Sequence, residues 1–126
     1  MSSPRYLVIV STENDAAKGR TLPNSAWRNL DQARGLPVHT GNHDQTFSVG
    51  RVVKAWRTPE DIRAEIEITD RYWAREIDMG AIWAVSPGVD LWSQGSHPDI
   101  VTEIYLSEIT ITCSPRNREA RILGEA

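Results

Sequence analysis

Phe47-Ser48-Val49-Gly50-Arg51-Val52-Val53-Lys54-Ala55-Trp56, then the turn signal Thr58-Pro59-Glu60-Asp61, then Ile62-Arg63-Ala64-Glu65-Ile66-Glu67-Ile68-Thr69, is the stretch that decides the fold. The second run alternates apolar and polar residues strictly, and the first does so over most of its length. Period-two alternation marks strands with one buried and one wet face, so the pair predicts an antiparallel hairpin.

Upstream of it, residues 6–11 are short and rich in β-branched side chains and predict another strand. Residues 13–20 are polar and predict a turn or loop. Residues 23–33 predict a helix: Asn24 or Ser25 can cap it, Ala26, Leu30 and Ala33 share a face, and Gly35 ends it. Residues 36–44 predict a short extended piece that turns near Gly41.

Downstream, residues 70–80 predict a helix capped by Asp70 and stopped by Gly80, with Trp73 and Ile77 on its apolar side and Met79 as a further candidate there. The apolar stretch around Ala84-Val85-Ser86-Pro87-Gly88-Val89 follows, then a loop by composition at 92–99. Residues 100–113 predict a long strand whose pattern shifts at Leu106-Ser107, where a bulge or bend is expected. Residues 114–118 predict a turn. The whole, residues 1–126, reads as a single α+β domain: a small, mainly antiparallel β-barrel or curled sheet with two or three short helices.

The balance of 14 basic and 17 acidic residues, well mixed, leaves no basic stripe for a nucleic-acid backbone. No apolar run has the length of a membrane span, and none at the start has the length of a signal peptide. The single cysteine, Cys113, has no internal partner and suits a reducing compartment. It is expected to behave as a small buried hydrophobe. These features predict a small soluble cytoplasmic domain. Trp56, Trp73, Trp83 and Trp92 are expected in a core or a dimer interface.

For chemistry, metal ligation is the first candidate to fail. His39 and His43 are four apart, but Pro37 and Gly41 argue against the helix that would align them, and no second ligand cluster exists. Neither a glycine-rich phosphate loop nor a dinucleotide fingerprint is present. No cofactor is expected. Ser86 stands out because a buried hydroxyl without a partner costs about 1–3 kcal/mol. A nucleophilic serine requires a base, and the base a third group to hold its ring. His43, beside Asp44, and Glu108, among apolar neighbours on the late strand, are the candidates; Asp44 reads as an exposed turn residue. From composition and spacing alone, a hydrogen-bonded core serine, a loop histidine and a surface glutamate are the favoured readings.

The order of four pieces resembles the tailed-phage prohead maturation protease family, relatives of the herpesvirus assemblins. Leu36-Pro37-Val38 followed by Asn42-His43-Asp44 is similar to the family's proline-then-"HD" segment, and Val49-Gly50-Arg51-Val52 to the strand that follows it. Met79-Gly80 through Val85-Ser86-Pro87-Gly88-Val89 resembles the family's glycine, apolar run and serine. Residues 107–120 resemble its closing strand and turn, so the likeness spans residues 6–122. The resemblance implies an assemblin-like fold and a serine endopeptidase that cleaves scaffolding and major capsid proteins inside the assembling prohead, in the host cytoplasm. It implies Ser86 as nucleophile, His43 as general base and Glu108 as the acid orienting His43. His97, eleven residues after Ser86, ranks below Glu108 as the third member, because its loop with Gly95 and Pro98 reads as solvent-facing. A homodimer is compatible with the resemblance. Pro87 departs from the family pattern: it has no N–H, so the peptide after Ser86 cannot donate to an oxyanion. An inactive capsid or scaffold component with the same fold is therefore the alternative.

Overall fold

The computed structural model describes all residues except Met1, Ser2, Asn14, Lys18, Asn42, Asp44, Gln45 and Thr46. In chain order the elements are β1 (Arg5–Thr12), β2 (Asp15–Ala17), β3 (Arg20–Leu22), β4 (Pro37–Thr40), β5 (Gly50–Arg57), β6 (Asp61–Ile68), α1 (Arg71–Asp78), β7 (Ala84–Gln94), β8 (His97–Thr112) and β9 (Ile122–Glu125). Among the described residues, one sheet runs β7-β8-β4-β5-β6-β1-β9, and β2 and β3 form a separate hairpin. All pairs in the large sheet are antiparallel except β4 with β8. The described residues are thus mostly β, a curled mixed sheet with one α-helix. No described helix is long and apolar enough to cross a membrane.

The hairpin read from the alternation is β5–β6, with Ile62, Ala64, Ile66 and Ile68 turned into the core. Gly50 stands where β5 is sandwiched between Val38 and Ile68; a Cβ there would lie 2.0 Å from the Glu67 carbonyl oxygen. The turn between the strands is tied by Thr58, whose hydroxyl donates to Asp61 Oδ1 at 2.6 Å, and Arg63 Nε donates to the same oxygen at 3.0 Å. Burial alone would raise the Asp61 carboxyl, but the hydrogen bonds from Arg63 and Thr58 hold it below its ordinary range. A depressed folded-state pKa contributes stability above the unfolded value, about 3.9, and that contribution is lost as the pH falls through the folded value. Asp61→Asn is therefore expected to lower stability at neutral pH and to flatten its decline below about pH 4. Denaturant unfolding of both proteins across that range checks this.

The sheet rolls on itself. Val85 N donates to Ala120 O at 3.1 Å and Ile122 N to Trp83 O at 2.9 Å, so the start of β7 meets the segment leading into β9. Tyr6, Val8, Val10, Val38, Val52, Ile109 and Ile111 fill the interior, and α1 lays Ala74 and Ile77 against the same core. Asp70 caps α1 by accepting from the Tyr72 and Trp73 amides, and Gly80, at φ 80°, closes it. Tyr6 donates to Asp78 Oδ1 at 2.9 Å; its burial and that carboxylate push the phenol well above its ordinary range.

Several expectations are corrected. Residues 23–33 form two 3-10 turns, Asn24–Ala26 and Leu30–Gln32, instead of one helix. Trp27, 2% exposed, is extended and bridges to Ile104, the Arg28 amide donates to Ile104 O, and the Asn29 side chain both accepts from Leu106 N and donates to Leu106 O. These backbone and amide groups pair with β8, which leaves no helical ladder to form. Residues 13–20 contain most of the β2–β3 hairpin, because Ala17 and Leu22 have a core to enter. The loop expected at 92–99 is strand on both sides of a two-residue turn, with Gln94 opposite His97. The segment past residue 118 supplies β9, paired with β1. Met79 and Cys113 are exposed; Trp27 is buried in the core, Trp73 packs against it, and Trp83 and Trp92 are exposed.

Candidate active site

The β7–β8 pair sorts its side chains by parity. Val85 opposite Ile111, Pro87 opposite Ile109, Val89 opposite Leu106 and Leu91 opposite Ile104 face the core. The register slips between Gly88 and Val89, where Ser107 is the extra residue of β8. That bulge, at the position where the sequence pattern shifts, places Ile109 and Ile111 on the core face with Leu106. It turns Glu108 and Thr110 to the other face, in rows with Gly88 and Ser86. β4 extends the upper row: His39 lies opposite Thr110.

His43 reaches this face from the turn after β4. Gly41, at φ 68°, starts the turn, and His43 itself sits at φ 58°. A residue with a Cβ held there costs about 1–3 kcal/mol and persists only where its surroundings fix it. The fixing contacts are polar. Ser86 Oγ lies 3.2 Å from His43 Nε2, and His43 Nδ1 is hydrogen-bonded to Glu108 Oε1. Thr110 Oγ1 is 3.0 Å from each Glu108 oxygen and 3.0 Å from His43 Nδ1. With one hydroxyl hydrogen, Thr110 donates to the carboxylate, and His43 donates its Nδ1–H to Oε1. That leaves Nε2 bare toward Ser86. The Glu108 side chain is 4% exposed and the His43 ring 37%. The acid is shielded from water while the ring reaches solvent, so the carboxylate–imidazole contact is screened less than an exposed pair would be.

Gly88 makes room for the acid. A Cβ at position 88 would stand 2.8 Å from Cγ, Cδ and Oε1 of Glu108. Gly88→Ala is expected to push the carboxylate off His43 and lower the nucleophilic reactivity of Ser86 by about 100-fold, as misplacements of about 1 Å do, with the fold retained. Rates of covalent labelling of Ser86, beside melting temperatures of the two proteins, check it.

A cleft of about 320 Å³ opens beside the array, lined among others by His43, Gly88, Glu108 and Arg116. Arg116 is held 3.7 Å from Asp15, which in turn accepts from Ser11 at 2.8 Å.

Of the residues singled out in the sequence, Ser86, His43 and Glu108 converge. His97 does not: it sits at the far turn of the β7–β8 hairpin, eight positions from the Ser86 row and so roughly 25 Å along the strand. Asp44 lies outside the described residues. Thr110, Gly88 and His39 belong to the arrangement and were not singled out for it; the apolar pattern that flags Glu108 also places Thr110 two residues on, but nothing local marks the other two. Among the described residues no group of three or more His, Cys, Asp or Glu side chains is arranged to hold a metal ion. Compared with known proteins, the chain matches no family model and no curated sequence.

Proposed function

We propose that the chain is a serine endopeptidase of the prohead-maturation type, with an assemblin-like fold, acting on phage scaffolding and major capsid proteins inside the assembling prohead in the host cytoplasm. The observation that carries this reading is the continuous hydrogen-bonded line from Ser86 through His43 to Glu108 on one sheet face. His43 Nε2 takes the Ser86 proton as Oγ attacks the scissile carbonyl carbon. The same proton passes to the leaving amine as the acyl–enzyme forms, and a water activated by His43 then releases the acid. Glu108 holds the ring and stabilises the imidazolium in both halves. Because Pro87 has no N–H, the oxyanion draws its donors from elsewhere, and Arg116 brings a guanidinium to the same cleft.

Pro87 also favours the second reading, a capsid or scaffold component that retains the fold without cleaving. Co-expression of the chain with phage scaffolding and capsid proteins, as parent and as Ser86→Ala, separates the two. Defined fragments from the parent alone support the protease. Intact partners bound equally by both proteins support the inert component.

A further inference from the structure

We infer that His39 is a positioning residue for Glu108, holding the carboxylate oxygen that His43 does not reach. The inference rests on the serine-hydrolase reading of Ser86, His43 and Glu108 and extends it to a fourth side chain.

Glu108 has two oxygens to satisfy on a face where its side chain is 4% exposed. Oε1 takes the His43 Nδ1–H, and the single Thr110 hydrogen is shared between the two oxygens. Oε2 is left with at most that shared hydrogen. The next polar atom toward it is His39 Nδ1, 4.0 Å away, on a side chain 8% exposed. That nitrogen is buried and has no hydrogen-bond partner. A bare lone pair against a carboxylate would be repulsive, so the proton belongs on Nδ1, where it points at an anion. The neutral Nδ1–H tautomer already carries that proton. Closing the gap by about 1 Å makes a charge-assisted hydrogen bond.

The fold holds His39 for this. β4 pairs with β8 in parallel, Val38 opposite Ile109 and His39 opposite Thr110, so the imidazole is anchored one residue beyond a core contact. On the other flank β4 pairs with β5, where the nearest charged side chain, Arg51, is engaged by Glu67 at 2.9 Å. Nothing described on that side competes for His39 Nδ1. Glu108 therefore lies between two imidazoles, His43 on Oε1 and His39 toward Oε2, with Thr110 between them. A carboxylate gripped on one oxygen swings about that contact; gripped on both, it presents Oε1 to His43 in one orientation.

The test exploits the two ring nitrogens. An asparagine places its amide N–H₂ where the histidine has Nδ1, whereas glutamine places it nearer the position of Nε2. Full-length parent, His39→Asn, His39→Gln and His39→Leu are compared for the second-order rate of Ser86 labelling by a fluorophosphonate and for melting temperature. Asparagine is expected to label within about three-fold of the parent, and glutamine and leucine about ten-fold more slowly, equivalent to about 1.4 kcal/mol in the barrier. Labelling of His39→Leu at the parent rate overturns the inference. So does a loss shared by all three variants in step with melting temperature, which is what a packing residue would give. If the leucine variant fails to fold, the asparagine and glutamine pair still decides. Should the parent itself not label, the serine-hydrolase reading fails. The chemical shift of the His43 Nδ1 proton in NMR spectra then still reports on Glu108: retained in His39→Asn and displaced in His39→Gln if His39 positions the carboxylate, unchanged in both if it does not.

Discussion

Under the proposed protease function, Ser86→Ala is expected to leave scaffolding and capsid proteins uncut and to lower any measurable hydrolysis on the order of 10⁶-fold, the loss found when the nucleophile of a serine–histidine–acid array is removed. The structure makes this a clean substitution. The Ser86 side chain points away from the core face of β7, its hydroxyl is bonded to His43 Nε2, and its backbone lies within a strand that alanine tolerates. The melting temperature should therefore move little while reactivity vanishes. A variant that unfolds would show a structural serine. A variant that still cuts would place the nucleophile elsewhere.

Glu108→Gln is expected to cost about 10⁴-fold, for a reason that concerns protons more than charge. The Thr110 hydroxyl lies 3.0 Å from both oxygens of residue 108 and has only one hydrogen to give. In the glutamine variant the amide oxygen satisfies that donor, and the N–H₂ group is turned toward His43 Nδ1. Nδ1 must then accept, its proton moves to Nε2, and Nε2 can no longer take a proton from Ser86. Nearly isosteric geometry with the wrong tautomer is the expected outcome. Hydrolysis rates beside a crystal structure of the variant check it, and a loss below about ten-fold would show that His43 is oriented by other contacts.

The sequence carried the site further than it carried the fold around it. Ser86 and Glu108 drew notice as polar residues in an apolar context, but the pattern alone favoured structural roles and the family resemblance made them site candidates; the slip in alternation at Leu106-Ser107 announced the bulge that aims Glu108. The β5–β6 hairpin and α1 were legible because their signals are local: strict alternation, an Asp cap and a Gly stop. What escaped depends on partners far along the chain. Residues 23–33 have helical periodicity, yet Trp27 and Asn29 find β8 about 77 positions away, and that pairing overrides local propensity. His39 was weighed only as a metal ligand, since a parallel partner at Thr110 leaves no local trace. Gly88 looks like any strand glycine until the Glu108 side chain fills the space where its Cβ would be. β9 is four residues long, too short for a pattern.

On the proposed function, the parallel pairing of β4 with β8 would also govern when the protein can act. His43 follows β4, Ser86 lies on β7 and Glu108 on β8, which lies between them in the sheet. During synthesis the serine and the histidine emerge first, with no strand yet to join them. Joining β4 to β8 closes a loop of about seventy residues, a non-local step that comes late in folding. Until it happens the nucleophile has no base held against it. On the proposed protease reading, a nascent chain would be inert toward itself and its neighbours, with competence appearing only once the sheet is complete.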